Sequence, residues 1–176
     1  MQNQLVTEME MAIEDFLKTL SYFDPSQINQ AYFDDRWTAA QVADHVLKSL
    51  ENISRVLSGE SIISERNVMQ QVSTIRPVLL DYNNKMQSPE FILPSNDTLD
   101  IKLLSNKLQE VQVELSKKVS DADLSVLFSG FKFPGWGSLS AYEWICFAAC
   151  HTTRHCRQLK NIYAILNKNE FIGTGI

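Results

Sequence analysis

The chain has 176 residues, of which 44% are hydrophobic, and 16 basic against 21 acidic side chains give a formal net charge of −5. This is ordinary globular usage with enough chain for one core, which excludes disorder and collagen-like repeats. The acidic balance is the opposite of a nucleic-acid module's basic surplus, and no run approaches the ~18 consecutive apolar residues of a membrane-spanning helix.

Residues 1–176 read as a single domain, with no internal repeat, low-complexity tract or linker to divide them. Leu5, Met9, Ala12, Ile13, Phe16, Leu17 and Leu20 recur at steps of three and four and predict a first helix, broken at Asp24 and Pro25. Glu8, Glu10, Glu14 and Asp15 interrupt this N-terminal apolar pattern, which is therefore no signal peptide, and the expected compartment is the cytoplasm. Thr38 and Gln41 form a capping box for a second helix, whose buried stripe is Val42, Val46, Leu50, Ile53 and Leu57.

From Glu60 to Pro94 the pattern is irregular. Ser64 to Ser73 fits a short helix, whereas Pro77, Pro89 and Pro94 argue for a crossover without regular structure. A third long helix is expected to open at the polar cluster Ser95–Thr98 and to continue through Leu99, Leu103, Leu104, Leu108, Val111, Leu115 and Val119. An aromatic turn follows at Phe131 and Pro134 to Gly137. A second capping box, Ser140 with Glu143, then starts a fourth helix that runs toward Asn167. No stretch alternates convincingly with period two. The expectation is an all-α bundle of four main helices, with a long crossover between the second and third.

The three cysteines, Cys146, Cys150 and Cys156, are an odd number on one helix and form no disulfide framework, so they read as packed thiols. The three histidines are more informative. His151 and His155 lie four residues apart, on one helical face about one turn (~5.4 Å) apart. That face also carries Trp144, Ala148, Leu159, Ile162 and Leu166, so both imidazoles point inward. Burying two imidazoles is costly unless something satisfies their nitrogens, and a divalent metal would do so. His45, near the start of the second helix, is placed at the rim of its stripe, compatible with a third ligand at an accessible edge.

Thr152 stands where a zincin has its glutamate, and Ala148, Val42 and Thr152 stand where di-iron bundles have theirs, so neither pattern applies. Gln158 shares the face of His151 and could hydrogen-bond a substrate or a ligand. Arg154 reads either as a holder of a carboxylate or as a surface cation. Trp37 and Trp144 read as core anchors, and Glu143 as a helix cap.

Trp37-Thr38, Gln41 and His45, followed late by Gly137, Ser140, Glu143-Trp144 and His151-Thr-Thr-Arg154-His155-x-x-Gln158, resemble the DinB/YfiT-like superfamily over nearly the whole chain. The resemblance implies a four-helix bundle in up-down-down-up order and a divalent metal, nickel or zinc, held by His45, His151 and His155. It also implies a homodimer and a small-molecule substrate, while the charge balance and the lack of a long apolar run leave no nucleic-acid or membrane partner expected. Thiol-dependent S-transferases and metal-dependent hydrolases are the activities it suggests, the former with a low-molecular-weight thiol as cosubstrate. Gln41 departs from the commoner pattern, in which an acidic residue stands. The alternative reading is a non-enzymatic metal-binding module for stress-linked dimerisation or binding.

Overall fold

The computed structural model describes residues 2–33 and 36–173. The predicted stripes become four long helices: α1 (Gln2–Leu20), α2 (Ala39–Val56), α4 (Ile101–Asp121) and α5 (Ala141–Gly173). Between α2 and α4 lie a short strand β1 (Ser61–Ile63), a short helix α3 (Val72–Leu80) and a 3₁₀ turn at Glu90–Ile92. A second strand, β2 (Val126–Phe128), precedes α5.

Side-chain bonds fix the helix directions. Gln41 at the start of α2 reaches Ser95, and Ser54 near its end reaches Glu114 and Lys118 on α4, so α2 and α4 run parallel. Glu10 meets Ser116 while Asn29 meets Leu99, so α1 and α4 are antiparallel. Thr19 touches Cys156 and Phe23 touches Tyr163, so α1 and α5 are parallel. The order is therefore up-down-down-up. The predicted stripes face inward except at Leu103, which is 55% exposed, and Met9, Ile13, Phe16, Leu50, Leu108, Leu115 and Trp144 are essentially inaccessible. Each such side chain contributes about 1.5–3 kcal/mol relative to exposure.

Three local expectations are corrected. First, β1 and β2 pair antiparallel, with Ile62 opposite Leu127. They had no legible signature because three residues are too few to show a period, and all three in β1 are exposed. Second, the short helix begins at Val72 instead of spanning 64–73, and it contains Pro77. Pro77 removes a bond to the carbonyl of Ser73, but both residues face solvent, where water replaces the lost donor. Third, α4 opens at Ile101, capped by Asp100, whose side chain accepts from Leu103 N at 2.9 Å. The polar residues expected to cap it sit in a segment already bound elsewhere, since Ser95 N donates to Asp44 and Leu99 N to Asn29.

Both predicted capping boxes are present. Thr38 and Gln41 bond reciprocally at 3.0 and 3.2 Å, and Ser140 and Glu143 do so at 3.0 and 3.1 Å. Glu143 does more than cap. Its carboxylate is fully buried and also accepts two bonds from Arg66, at 2.9 and 2.7 Å, and one from Gln71 N at 2.7 Å. A buried carboxylate needs such complete pairing, and here it ties the crossover to the start of α5. The aromatic turn closes between Phe133 and Gly137, with backbone bonds of 2.7 and 2.8 Å, and Gly135 and Gly137 supply its positive φ.

Candidate metal centre

α2 delivers His45 and α5 delivers His151 and His155 to one point inside the bundle. His45 Nε2 lies 3.1 Å from His151 Nε2, and His155 Nε2 lies 3.2 Å from the same atom. The ligand-capable nitrogens of all three rings fall within 4.8 Å of one another, and all three residues are buried. The expected rim position of His45 is corrected: it is only 1% exposed, because residues 92–95 of the crossover lie against its helix.

The outer nitrogens set the tautomers. His45 Nδ1 is 2.8 Å from the carbonyl of Ile92, an acceptor only, so Nδ1 carries the proton and Nε2 turns a lone pair inward. His155 Nδ1 donates to Gln158 Oε1 at 2.8 Å, with the same consequence. Two lone pairs thus face His151 Nε2, which holds at most one proton and can satisfy only one of them. Protonation offers no way out, since the cost of charging buried rings lowers all three pKa values. For His45 burial outweighs the opposing bond to Ile92. For His151 burial is reinforced by the neighbouring histidines and Arg154, and for His155 burial and His45 bring the value to about 3. One cation satisfies all three lone pairs at once.

The spacing agrees with that. Nitrogens about 2.1 Å from a common ion stand roughly 3.0–3.4 Å apart at bond angles of about 90–109°. The observed 3.1 and 3.2 Å separations fall inside this span. The three histidines therefore fit a divalent ion.

The other singled-out side chains have structural partners. Gln158 bonds a histidine of the cluster. Arg154 is no free surface cation; its guanidinium donates to the carbonyls of Leu79, Asp81 and Asn84 and closes the C-terminal end of α3. Trp144 is buried as an anchor, while Trp37, half-buried, lies 4.9 Å from the His45 ring. Two contributors went unpredicted. The Ile92 carbonyl has no side-chain signal to read. Phe147, stacked on His151 with 14° between ring planes and 5.3 Å between centroids, was legible as the residue one helical turn before it. The cysteines are buried and unbridged, and Cys156 points at Thr19 on α1. The contact with Cys150, together with burial, pushes the Cys146 thiol up.

Comparison with known proteins agrees with this architecture. The crystal structure of TT2238, described as a four-helix bundle protein, superposes with a TM-score of 0.59 at 19% identity, covering 92% of this chain and 99% of that one. A protein of Bacillus subtilis (strain 168), named Uncharacterized protein YuaE, is 24% identical over 140 residues, 77% of this chain and 83% of its own length. No helix among the described residues is long and apolar enough to cross a membrane. The DinB superfamily profile matches residues 8–159, a span that contains all three histidines and every long helix but the ends of α1 and α5; the chain belongs to the DinB superfamily.

Proposed function

We propose that this protein is a metal-dependent enzyme that presents an activated thiol to a small electrophilic substrate. The observation that carries this reading is the convergence of three Nε2 atoms, from His45, His151 and His155, with two tautomers fixed from outside. Three protein ligands leave a divalent ion open positions, unlike the four of a closed structural site. When bound there, the ion lowers the pKa of a coordinated thiol or water. The chain's own residues prepare the ligands: hydrogen bonds to Ile92 and Gln158 keep Nε2 of His45 and His155 unprotonated, and burial keeps all three rings neutral by penalising charge.

Thiol transfer is favoured over hydrolysis by the composition of the cluster. Among the described residues it contains three histidines and no carboxylate. Hydrolysis calls on a general base or acid near the attacking water, whereas a thiolate, once formed, attacks without one. The buried carboxylates on the two helices that carry the histidines are engaged elsewhere. Asp44 pairs with Lys48 and Ser95 N, and Glu143 pairs with Arg66.

Cobalt-substituted protein titrated with low-molecular-weight thiols tests the reading. A sulfur-to-metal charge-transfer band, lost in His151→Ala, supports thiol activation. A spectral change near neutral pH with no response to thiols supports the hydrolase. No response to either ligand means an occluded site, and the non-enzymatic module then becomes the better account.

A further inference from the structure

The face of α2 that carries His45 spends its polar side chains on the main chain of the crossover. Gln41 Nε2 donates to Ser95 O at 3.2 Å, and Asp44 Oδ2 accepts from Ser95 N at 2.8 Å. Lys48 Nζ donates to Leu93 O at 2.8 Å and pairs with Asp44 at 2.8 Å. Together with His45, which bonds Ile92 O, these residues stand at steps of three and four and form one stripe. The segment they grip is only partly held by apolar burial, since Leu93 is 42% exposed and Ile92 and Pro94 are half-buried. Hydrogen bonds from α2 therefore decide where the Ile92 carbonyl sits.

We propose that Gln41, Asp44 and Lys48 are positioning residues for the metal centre: they hold residues 92–95 so that the Ile92 carbonyl keeps the proton of His45 on Nδ1 and its Nε2 lone pair facing His151 and His155. The role in metal binding rests on the metal-centre reading above, while the tautomer lock is a property of the metal-free chain. The tautomer of an imidazole is set by the partner of its outer nitrogen, so a displaced carbonyl leaves His45 free to carry its proton on Nε2, where it blocks coordination. Asn29 supplies an internal control. Its side-chain amide clamps the same connection further along, through Leu99 N and O at 3.0 and 2.9 Å, beyond the residues that α2 grips.

The test uses two readouts on the full-length protein: histidine ring nitrogen NMR of metal-free, ¹⁵N-labelled chain, and zinc affinity by competition with a chromophoric chelator. The wild type should show His45 with its proton on Nδ1. Lys48→Met combined with Asp44→Ala should mix the tautomers and weaken zinc binding about tenfold, the low end of what outer partners of metal ligands contribute. Gln41→Glu, which keeps the capping-box acceptor but turns an oxygen toward Ser95 O, should act in the same direction if the double variant folds poorly. Asn29→Ala should lower the melting temperature while leaving both readouts at wild-type values. An unchanged tautomer and unchanged zinc affinity in the folded strap variants would overturn the proposal, as would mixed tautomers in the wild type. A wild type with the Nδ1–H tautomer but no zinc affinity would instead overturn the metal-centre reading, taking the metal-positioning role with it and leaving the lock itself demonstrated.

Discussion

Gln158 Oε1 accepts a hydrogen bond from His155 Nδ1 at 2.8 Å, between residues three apart on α5. The helix thus carries a histidine and the group that orients it within a single turn. Replacing Gln158 by Leu keeps the volume and removes the acceptor. Zinc affinity should fall about 10- to 100-fold, the usual cost of losing such a partner, while helical content by circular dichroism stays the same. Unchanged affinity would mean that packing alone orients the ring.

Acid should destabilise the metal-free protein through the same cluster. The pKa of His155 is depressed to about 3 in the folded state, against about 6.5 for an unfolded histidine, and those of His45 and His151 are also depressed. Below pH 6.5 the unfolded chain therefore binds protons that the folded one refuses, and stability falls as pH drops toward 3. Urea midpoints measured from pH 7 to 4 should decline, and His155→Gln should flatten the slope. A pH-independent midpoint would show that the rings are not held neutral.

Much of this architecture was legible before any coordinates. The stripes beginning at Leu5, Val42, Leu99 and Trp144 each span several turns, so their periodicity outweighs local noise, and the two capping boxes mark their starts. The elements that escaped are those whose stabilisation is tertiary. Ser61–Ile63 is held by pairing with Val126–Phe128 across more than sixty residues of chain. The start of α4 is shifted because Asp44 and Asn29 claim the backbone upstream. The same logic governs the site. The inward aim of His151 and His155 follows from their helical face, whereas the burial of His45 depends on a crossover whose course no local pattern encodes.

The ion pair between Arg66 and Glu143 should dominate the stability of the crossover. Arg66→Met leaves a fully buried carboxylate with only backbone donors, at 2.7 Å from Gln71 N and 3.0 Å from Ser140 N. Removing one partner of a buried pair costs about 3–5 kcal/mol. Urea denaturation should register a loss of that order. A loss below about 1 kcal/mol, typical of exposed pairs, would contradict the assignment.

The cysteines should be dispensable for the metal centre. Cys146, Cys150 and Cys156 are buried against neighbouring helices, and no sulfur belongs to the histidine cluster. A triple Cys→Ala variant should melt at lower temperature through lost packing yet retain the zinc stoichiometry of the wild type. Loss of zinc in the folded variant would place a thiolate among the ligands.

Metal content per chain tests the central claim most directly. Protein prepared without chelators or a polyhistidine tag, then measured by inductively coupled plasma mass spectrometry, should carry close to one divalent transition-metal ion per chain. His45→Ala, His151→Ala and His155→Ala should each carry nearly none while remaining helical. A wild-type chain that holds no ion after zinc or nickel is supplied, or single variants that hold it as tightly as the wild type, would contradict a metal centre built from these three histidines.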